Sequence, residues 1–290
     1  MSVGAIIGKK YRVIEKIGEG CFGEVFGGVY IKKNEKVAIK IVNAATNILK
    51  HETRVLKYLQ ERGCEYIPIV HWYGVDKDWA YLVMTCYECS LDDFLKNISK
   101  TDSQNVLSQV MKSCIGILES VHKCFVIHRD IKPQNFMLRG RELVIIDFGI
   151  STYYIDEKGE KSYGGDGDET THTIVGSPRY ASFFMHSGFQ CSRRDDLLSL
   201  GYMFLFLENG NLIWDEQYIE QIEIAEQMTH GILPVENINH CKNLVRKQLK
   251  SWEVLEKYCV KDTSIWNFLK YCYSLKKDET PKYLYLSKLF

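Results

Sequence analysis

The period of the apolar pattern changes near residue 85, and that change most constrains what the chain can fold into. Before it, apolar side chains recur every second residue. Val37, Ile39 and Ile41 share one face and Ala38 and Lys40 the other, because successive side chains of a strand point to opposite sides. One interruption, Leu49 to Leu59, is helical. Its stripe of Val55, Leu56 and Leu59 takes in Glu52, and a carboxylate on an inward face wants a cation. Beyond it, residues 90–125 and 190–290 carry apolar positions three and four apart, clearest in Val106 to Val121 and Ile265 to Leu275. These patterns predict an α+β chain, one domain of two lobes. A small β-rich lobe spans 1–84, with a hinge at 85–90 where Met84 to Ser90 follow the strand-like Ala80 to Val83. A larger, mostly helical lobe spans 91–290.

A length of 290 residues suits this organisation. The 37 basic residues balance 37 acidic ones, which argues against wholesale binding to nucleic acid or an anionic membrane. The longest apolar stretch, Leu197 to Leu207, is 11 residues bounded by Asp196 and Glu208. A membrane span needs ~20, so the stretch reads as a buried helix. Met1 to Gly8 has no basic flank and is too short for a secretory signal, and Ser2 excludes N-myristoylation. Ten cysteines in that context read as reduced thiols of an intracellular protein. Cys86 and Cys89 form the only C-x-x-C; two packed thiols suit it better than a metal site, which would want a second pair.

Gly18, Gly20 and Gly23 spell G-x-G-x-x-G. In a dinucleotide fold this motif opens a helix, but Val25, Val29 and Ile31 continue in period two, giving strand, glycine loop, strand. Glycines there let backbone N–H groups approach phosphate oxygens; a hairpin that merely needs glycine is the alternative. Lys40 follows on the strand Val37-Ala38-Ile39-Lys40. Paired with Glu52 it could hold its ammonium against nucleotide phosphates, whereas an ordinary surface lysine would have no such partner.

The most specific segment is His128-Arg129-Asp130-Ile131-Lys132-Pro133-Gln134-Asn135. Pro133 biases Lys132 toward an extended backbone, so Asp130 and Lys132 can point into one space. Asp130 could accept a hydroxyl proton and Lys132 could neutralise a transferring phosphoryl group. Asn135 and Asp147 flank a predicted hairpin, Phe136 to Leu138 and Leu143 to Ile146, turning at Arg139-Gly140-Arg141. Antiparallel pairing would bring these two oxygen ligands together, and such ligands suit Mg²⁺ held jointly with phosphates. A capping asparagine and a solvated aspartate are the plain alternatives.

Together these segments resemble the eukaryotic protein kinases: Ile17-Gly18-Glu19-Gly20-Cys21-Phe22-Gly23-Glu24-Val25, Val37-Ala38-Ile39-Lys40, the His128 to Asn135 loop and Asp147-Phe148-Gly149. Lys132, two residues after Asp130, is similar to Ser/Thr rather than tyrosine kinases. A narrower resemblance is to the casein kinase I family, through Gly176-Ser177-Pro178-Arg179-Tyr180-Ala181-Ser182, with R-Y-A-S where A-P-E is usual, and Cys191-Ser192-Arg193-Arg194-Asp195-Asp196-Leu197-Leu198-Ser199-Leu200-Gly201-Tyr202. The similarity runs from about Tyr11 to Phe290. It implies a bilobal protein-kinase-like fold and transfer of the ATP γ-phosphate to Ser or Thr of protein substrates, with ATP and Mg²⁺ as cofactors. It also implies a monomer of the cytoplasm, the nucleus or both, with no nucleic-acid or membrane partner. By the same resemblance Ile17 to Val25 and Ala38 surround ATP, Met84 is the gatekeeper, and the backbone of Thr85 to Tyr87 takes the adenine. Lys40 pairs with Glu52, Asp130 is the base assisted by Lys132, Asn135 and Asp147 hold Mg²⁺, and Arg179 helps bind an anion near the substrate.

The charge around that anion site departs from the family pattern. Residues 156–173 carry six carboxylates against Lys158 and Lys161, and Trp214 to Met228 contain Asp215, Glu216, Glu220, Glu223 and Glu226 with no basic residue. Weaker preference for acidic or phosphorylated substrates is expected, although Arg129, Arg193 and Arg194 remain as cations. The resemblance ends at Phe290, so inhibition by a C-terminal tail is not expected. Two other functions fit the motifs less well. A kinase-fold scaffold or binding module would be marked by a broken catalytic position, and none is seen; a small-molecule kinase would not need the long segment from Asp147 to Ser182.

Overall fold

The computed structural model describes residues 2–20, 23–96, 103–155, 174–220 and 238–290. The chain forms two compact units, one of Met1–Lys96 with Gln134–Ser151 and the other of Asn97–Pro133 with Thr152–Phe290.

The first unit is built on an antiparallel six-stranded sheet. Its strands are β1 (Ile6–Ile7), β2 (Tyr11–Gly20), β3 (Gly23–Tyr30), β4 (Glu35–Asn43), β5 (Val70–Asp76) and β6 (Trp79–Thr85), in the order β1-β2-β3-β4-β6-β5. The period-two residues form its core: Val37, Ile39 and Ile41 pack with Val13, Phe26, Tyr81 and Val83. That leaves Lys40 on the other face. Helix α1 (Ile48–Glu61) buries the expected stripe of Val55, Leu56 and Leu59, and Glu52 and Leu49 with it. Strand β6 runs two residues beyond the expected Val83. Its end is held because the Thr85 N–H donates to the Ile69 carbonyl at 3.1 Å and the Ile69 N–H to the Thr85 hydroxyl at 3.2 Å. A short helix, α2 (Leu91–Lys96), completes this part of the chain.

The second unit is helical in the main. Helix α3 (Ser103–Lys123) is followed by β7 (Val126–Ile127), and the hairpin of β8 (Phe136–Arg139) and β9 (Glu142–Ile145), which belongs to the first unit, precedes β10 (Thr152–Tyr153), which pairs with β7. Then come α4 (Phe183–His186), α5 (Arg193–Asn209), α6 (Ile238–Leu249), α7 (Trp252–Tyr258), α8 (Ser264–Ser274) and α9 (Tyr283–Lys288). Helix α5 contains the predicted buried stretch but starts earlier, because Ser192 and Asp195 form a capping box at its N-terminus. Every residue from Arg193 to Leu205 is buried, as expected of a helix packed on all sides. Gly201 makes one crossing possible: a Cβ there would lie 2.6 Å from Leu269 of α8. The composition of 43% helix and 24% strand matches the α+β expectation. Residues 156–173, the acidic segment of the sequence, lie outside the described residues, as do Cys21 and Phe22.

Candidate active site

In the first unit the sheet and α1 bring three charges together. Lys40 pairs with Val25 on β3 and Leu82 on β6, and its Nζ donates to Glu52 Oε2 at 2.9 Å and to Asp147 Oδ1 at 2.7 Å. Both Lys40 and Glu52 are buried, so the surface-lysine alternative falls. Burial works against the ammonium, but two carboxylates outweigh it and hold its pKa above the ordinary lysine range. Glu52, wholly buried, is pushed up by that burial, with Lys40 opposing the rise. Removing one member of such a set leaves an uncompensated charge indoors, at a cost of ~3–5 kcal/mol.

Asp147 reaches this lysine from the β8–β9 hairpin. Phe136 pairs with Ile145 and Arg139 with Glu142, one residue off the expected register centred on Arg141, because the turn closes tightly after Arg139 and leaves Arg141 alone with Gly140 at the tip. The Ile146 N–H donates to the Asn135 carbonyl at 2.9 Å, bringing the backbone after β9 beside Asn135. Asp147 has φ +67°, a backbone strain of the kind that concentrates at functional sites. Among the described residues no group of three His, Cys, Asp or Glu could hold a metal alone. An amide oxygen and a carboxylate nonetheless suit Mg²⁺ that is completed by phosphate oxygens.

The glycine motif divides. A Cβ at Gly23 would lie 2.2 Å from the Ile41 carbonyl oxygen, so packing alone demands glycine there. At Gly20 an added Cβ meets nothing within 4 Å among the described residues, and at Gly18 only Val25, at 3.8 Å. The packing of the described residues therefore does not ask for glycine at 18 and 20, whereas a phosphate approaching the backbone would. Ile17, Gly18, Glu19 and Gly20 end β2, opposite Gly23, Glu24 and Val25 on β3. Ala38 pairs with Met84, the penultimate residue of β6. The Thr85 N–H is committed to Ile69, and the Tyr87 hydroxyl donates to the Ile67 carbonyl at 3.4 Å.

In the second unit Asp130 is buried and held by three donors. The Ser177 N–H and hydroxyl each reach Oδ1 at 3.0 Å, and Lys132 Nζ reaches Oδ2 at 2.6 Å. Asp130 and Lys132 thus share one space, as Pro133 led us to expect. Gly176 allows this approach, since a Cβ there would lie 2.4 Å from the Arg129 carbonyl oxygen. Behind the loop, Asp196 of α5 accepts from the His128 N–H at 2.8 Å and the Arg129 N–H at 2.9 Å. His122 Nε2 lies 2.9 Å from the same carboxylate, and its Nδ1 lies 2.7 Å from the Tyr283 hydroxyl. Burial would raise the pKa of Asp196, but the bonds from His122 and the His128 amide lower it, so the anion persists indoors.

The cations read as a possible anion site have other partners. Arg179 Nε lies 2.6 Å from Asp215 Oδ1. Arg193 and Arg194 are buried: the first donates to the Asp278 carbonyl at 2.8 Å and the second to the Leu275 carbonyl at 2.9 Å, with their guanidinium groups over Tyr154 and Phe184. They are structural residues, because a helix buried on all sides sends its arginines to carbonyls and rings inside the protein. The segment from Trp214 is likewise not without offset. Glu216 pairs with Lys242 and Arg246 of α6, cations remote in sequence; Glu223 and Glu226 lie outside the described residues.

Sequence reasoning assigned no role to Ser177, Asp196, His122 or Lys250. Asp196, set against an eleven-residue apolar run, was the one with a readable signal, since a carboxylate in a buried helix needs donors. Lys250 had none. It is fully buried, and its Nζ donates to the Pro178 carbonyl at 2.8 Å and the Ala181 carbonyl at 2.7 Å, with His186 Nε2 at 3.2 Å. Cys86 and Cys89 are half-buried free thiols, and the other described cysteines are free too.

A lysine bridged to two carboxylates beside a glycine hairpin in one unit, and an aspartate and lysine gathered on a serine in the other, are each equipment of a phosphotransferase. The family model for the protein kinase domain matches residues 11–281, and the chain belongs to the eukaryotic protein kinases. Their activity is phosphoryl transfer to proteins. No helix among the described residues is long and apolar enough to cross a membrane.

Proposed function

We propose that the protein is a serine/threonine kinase of the casein kinase I type, transferring the ATP γ-phosphate to protein hydroxyls. The observation that carries the reading is the set Asp130, Lys132 and Ser177, in which Lys132 lies 2.6 Å from one carboxylate oxygen of Asp130 and Ser177 makes two contacts with the other. An aspartate fixed in this way can orient an aliphatic hydroxyl and accept its proton, while the neighbouring ammonium offsets charge on the transferred group. Lys132 also lies 3.4 Å from the Ser177 hydroxyl, so the same contacts that fix the base fix the cation.

Lys40, kept cationic by Glu52, would steady the nucleotide phosphates, with the backbone near Gly18 and Gly20 closing over them. Asn135 and Asp147 would supply oxygen ligands to Mg²⁺, which when bound neutralises phosphate charge. With the Thr85 N–H committed within the sheet, the Thr85 carbonyl and the Tyr87 amide are the groups we assign to the adenine, beneath Met84 and Ala38. Catalysis on this account is positioning and electrostatics, with no covalent step on the protein. A positional peptide library phosphorylated by the purified protein with Mg²⁺ and ATP tests it. Phosphoserine and phosphothreonine products are expected; labelling confined to tyrosine, or no turnover, would reject the assignment.

A further inference from the structure

We propose that Asp215 sets the substrate specificity of this kinase: its carboxylate claims Arg179 from within the chain, so that acidic or phosphorylated neighbours of the acceptor hydroxyl bring no gain. The inference rests on the serine/threonine reading above. The loop from Ser177 to Ser182 starts at the base, because Ser177 contacts Asp130, and Arg179 follows two residues later with 44% of its side chain exposed. A guanidinium so near a bound hydroxyl would ordinarily attract acidic or phosphorylated neighbours. Here its Nε is 2.6 Å from Asp215 Oδ1.

The pair is built from both sides. The Arg179 carbonyl accepts from Trp214 Nε1 at 2.7 Å, and Lys250 grips the carbonyls of Pro178 and Ala181 on either side. Asp215 is buried, its Oδ2 accepts the Leu212 N–H at 3.0 Å, and its carbonyl accepts the Tyr218 N–H at 2.9 Å. The carboxylate cannot swing aside without undoing that turn. Among the described residues, Lys242 and Arg246 face Glu216, and Arg193 and Arg194 are buried. A phosphate arriving at Arg179 would meet a fixed negative charge already bound there, and like charges at short range repel.

A competing account has Asp215 merely aim Arg179, whose terminal amino groups then grip a substrate phosphate. The two accounts predict opposite signs for Asp215→Asn, which keeps an acceptor for the Leu212 N–H while removing the charge. The measurement is kcat/KM for matched serine peptides carrying phosphoserine or serine at each of the four positions on either side of the acceptor. The phospho-to-plain ratio is expected near 1 in the wild type, about tenfold higher in Asp215→Asn through a lower KM, and near 1 again when Arg179→Ala is added. A wild-type ratio of about ten or more overturns the proposal, as does a ratio that stays level or falls in Asp215→Asn. Because the readout is a ratio, loss of turnover common to both peptides cancels. Should Asp215→Asn not fold, Asp215→Ser, whose hydroxyl can still accept from the Leu212 N–H, takes its place with the same expected rise and the same overturning result. If the wild type phosphorylates neither peptide, the kinase reading fails instead. The same peptides are then titrated calorimetrically, and tighter phosphopeptide binding by Asp215→Asn upholds the inference while equal or weaker binding overturns it.

Discussion

Each charged residue in the two clusters depends on a partner that a single substitution can remove. Lys40→Met leaves Glu52 buried beside Asp147 with no cation, so Glu52 would take up a proton rather than remain charged. Phosphoryl transfer should fall at least a hundredfold while the fold persists, read as initial rate with Mg²⁺ and ATP beside the circular dichroism spectrum. Full activity would remove Lys40 from the mechanism. Ser177→Ala removes a hydroxyl from both Asp130 and Lys132 but spares the backbone contact. We expect kcat to fall about tenfold with ATP affinity unchanged, since a supporting hydrogen bond to the base is lost. An unchanged kcat would mean that the amide of residue 177 alone orients the base. Legibility at this scale was uneven. Lys40 and Glu52 were readable because a charge on an apolar stripe declares a partner, whereas the Ser177 contact crosses 47 residues of sequence.

Helix α5 shows how an element can serve the site without touching a substrate. Asp196 gathers the amides of His128 and Arg129 and the ring of His122 on one carboxylate, and Arg129 holds φ +70° while doing so. In Asp196→Asn the amide NH2 opposes donors where an oxygen accepted them. The substitution should lower unfolding free energy by about 3 kcal/mol, measured by urea denaturation, and reduce kcat more than the KM for ATP. A variant of wild-type stability would show that the loop carries its own conformation. The apolar period predicted this helix, but not its start. A local capping box between Ser192 and Asp195, further tied by a bond from Ser182, moved the boundary outward, and hydrophobic periodicity does not register a cap.

For the molecule as a whole, pH dependence follows from groups that burial keeps neutral. His186 sits beside Lys250, and burial, then that neighbour, lower its pKa from 6.5 to about 2. The unfolded chain therefore binds a proton near pH 6.5 that the folded chain refuses until much lower pH. Stability from this residue is complete above pH ~6.5 and is lost progressively as the pH falls below it. Because His186 is only half-buried, solvent screening reduces the effect to about 1 kcal/mol between pH 6.5 and 5.0. Tm measured across that range should fall less in His186→Gln than in the parent, and parallel curves would refute the linkage.

Sequence by itself determined the local geometry: strand alternation placed Lys40, helical spacing placed Glu52, and the turn at Arg139-Gly140-Arg141 predicted the hairpin between Asn135 and Asp147, with a register one residue from the one observed. Each of these follows from backbone periods and turn chemistry acting over a few residues. Only the tertiary structure decided which charges are available. Resemblance made Arg179 an anion site and left Arg193 and Arg194 as cations beside it; folding sets a carboxylate against the first and buries the others among carbonyls and rings. The acidic run from Trp214 read as an unopposed negative surface until α6 brought Lys242 and Arg246 to it. A charge acts through what lies within a few ångströms of it, and residues distant along the chain supply those neighbours.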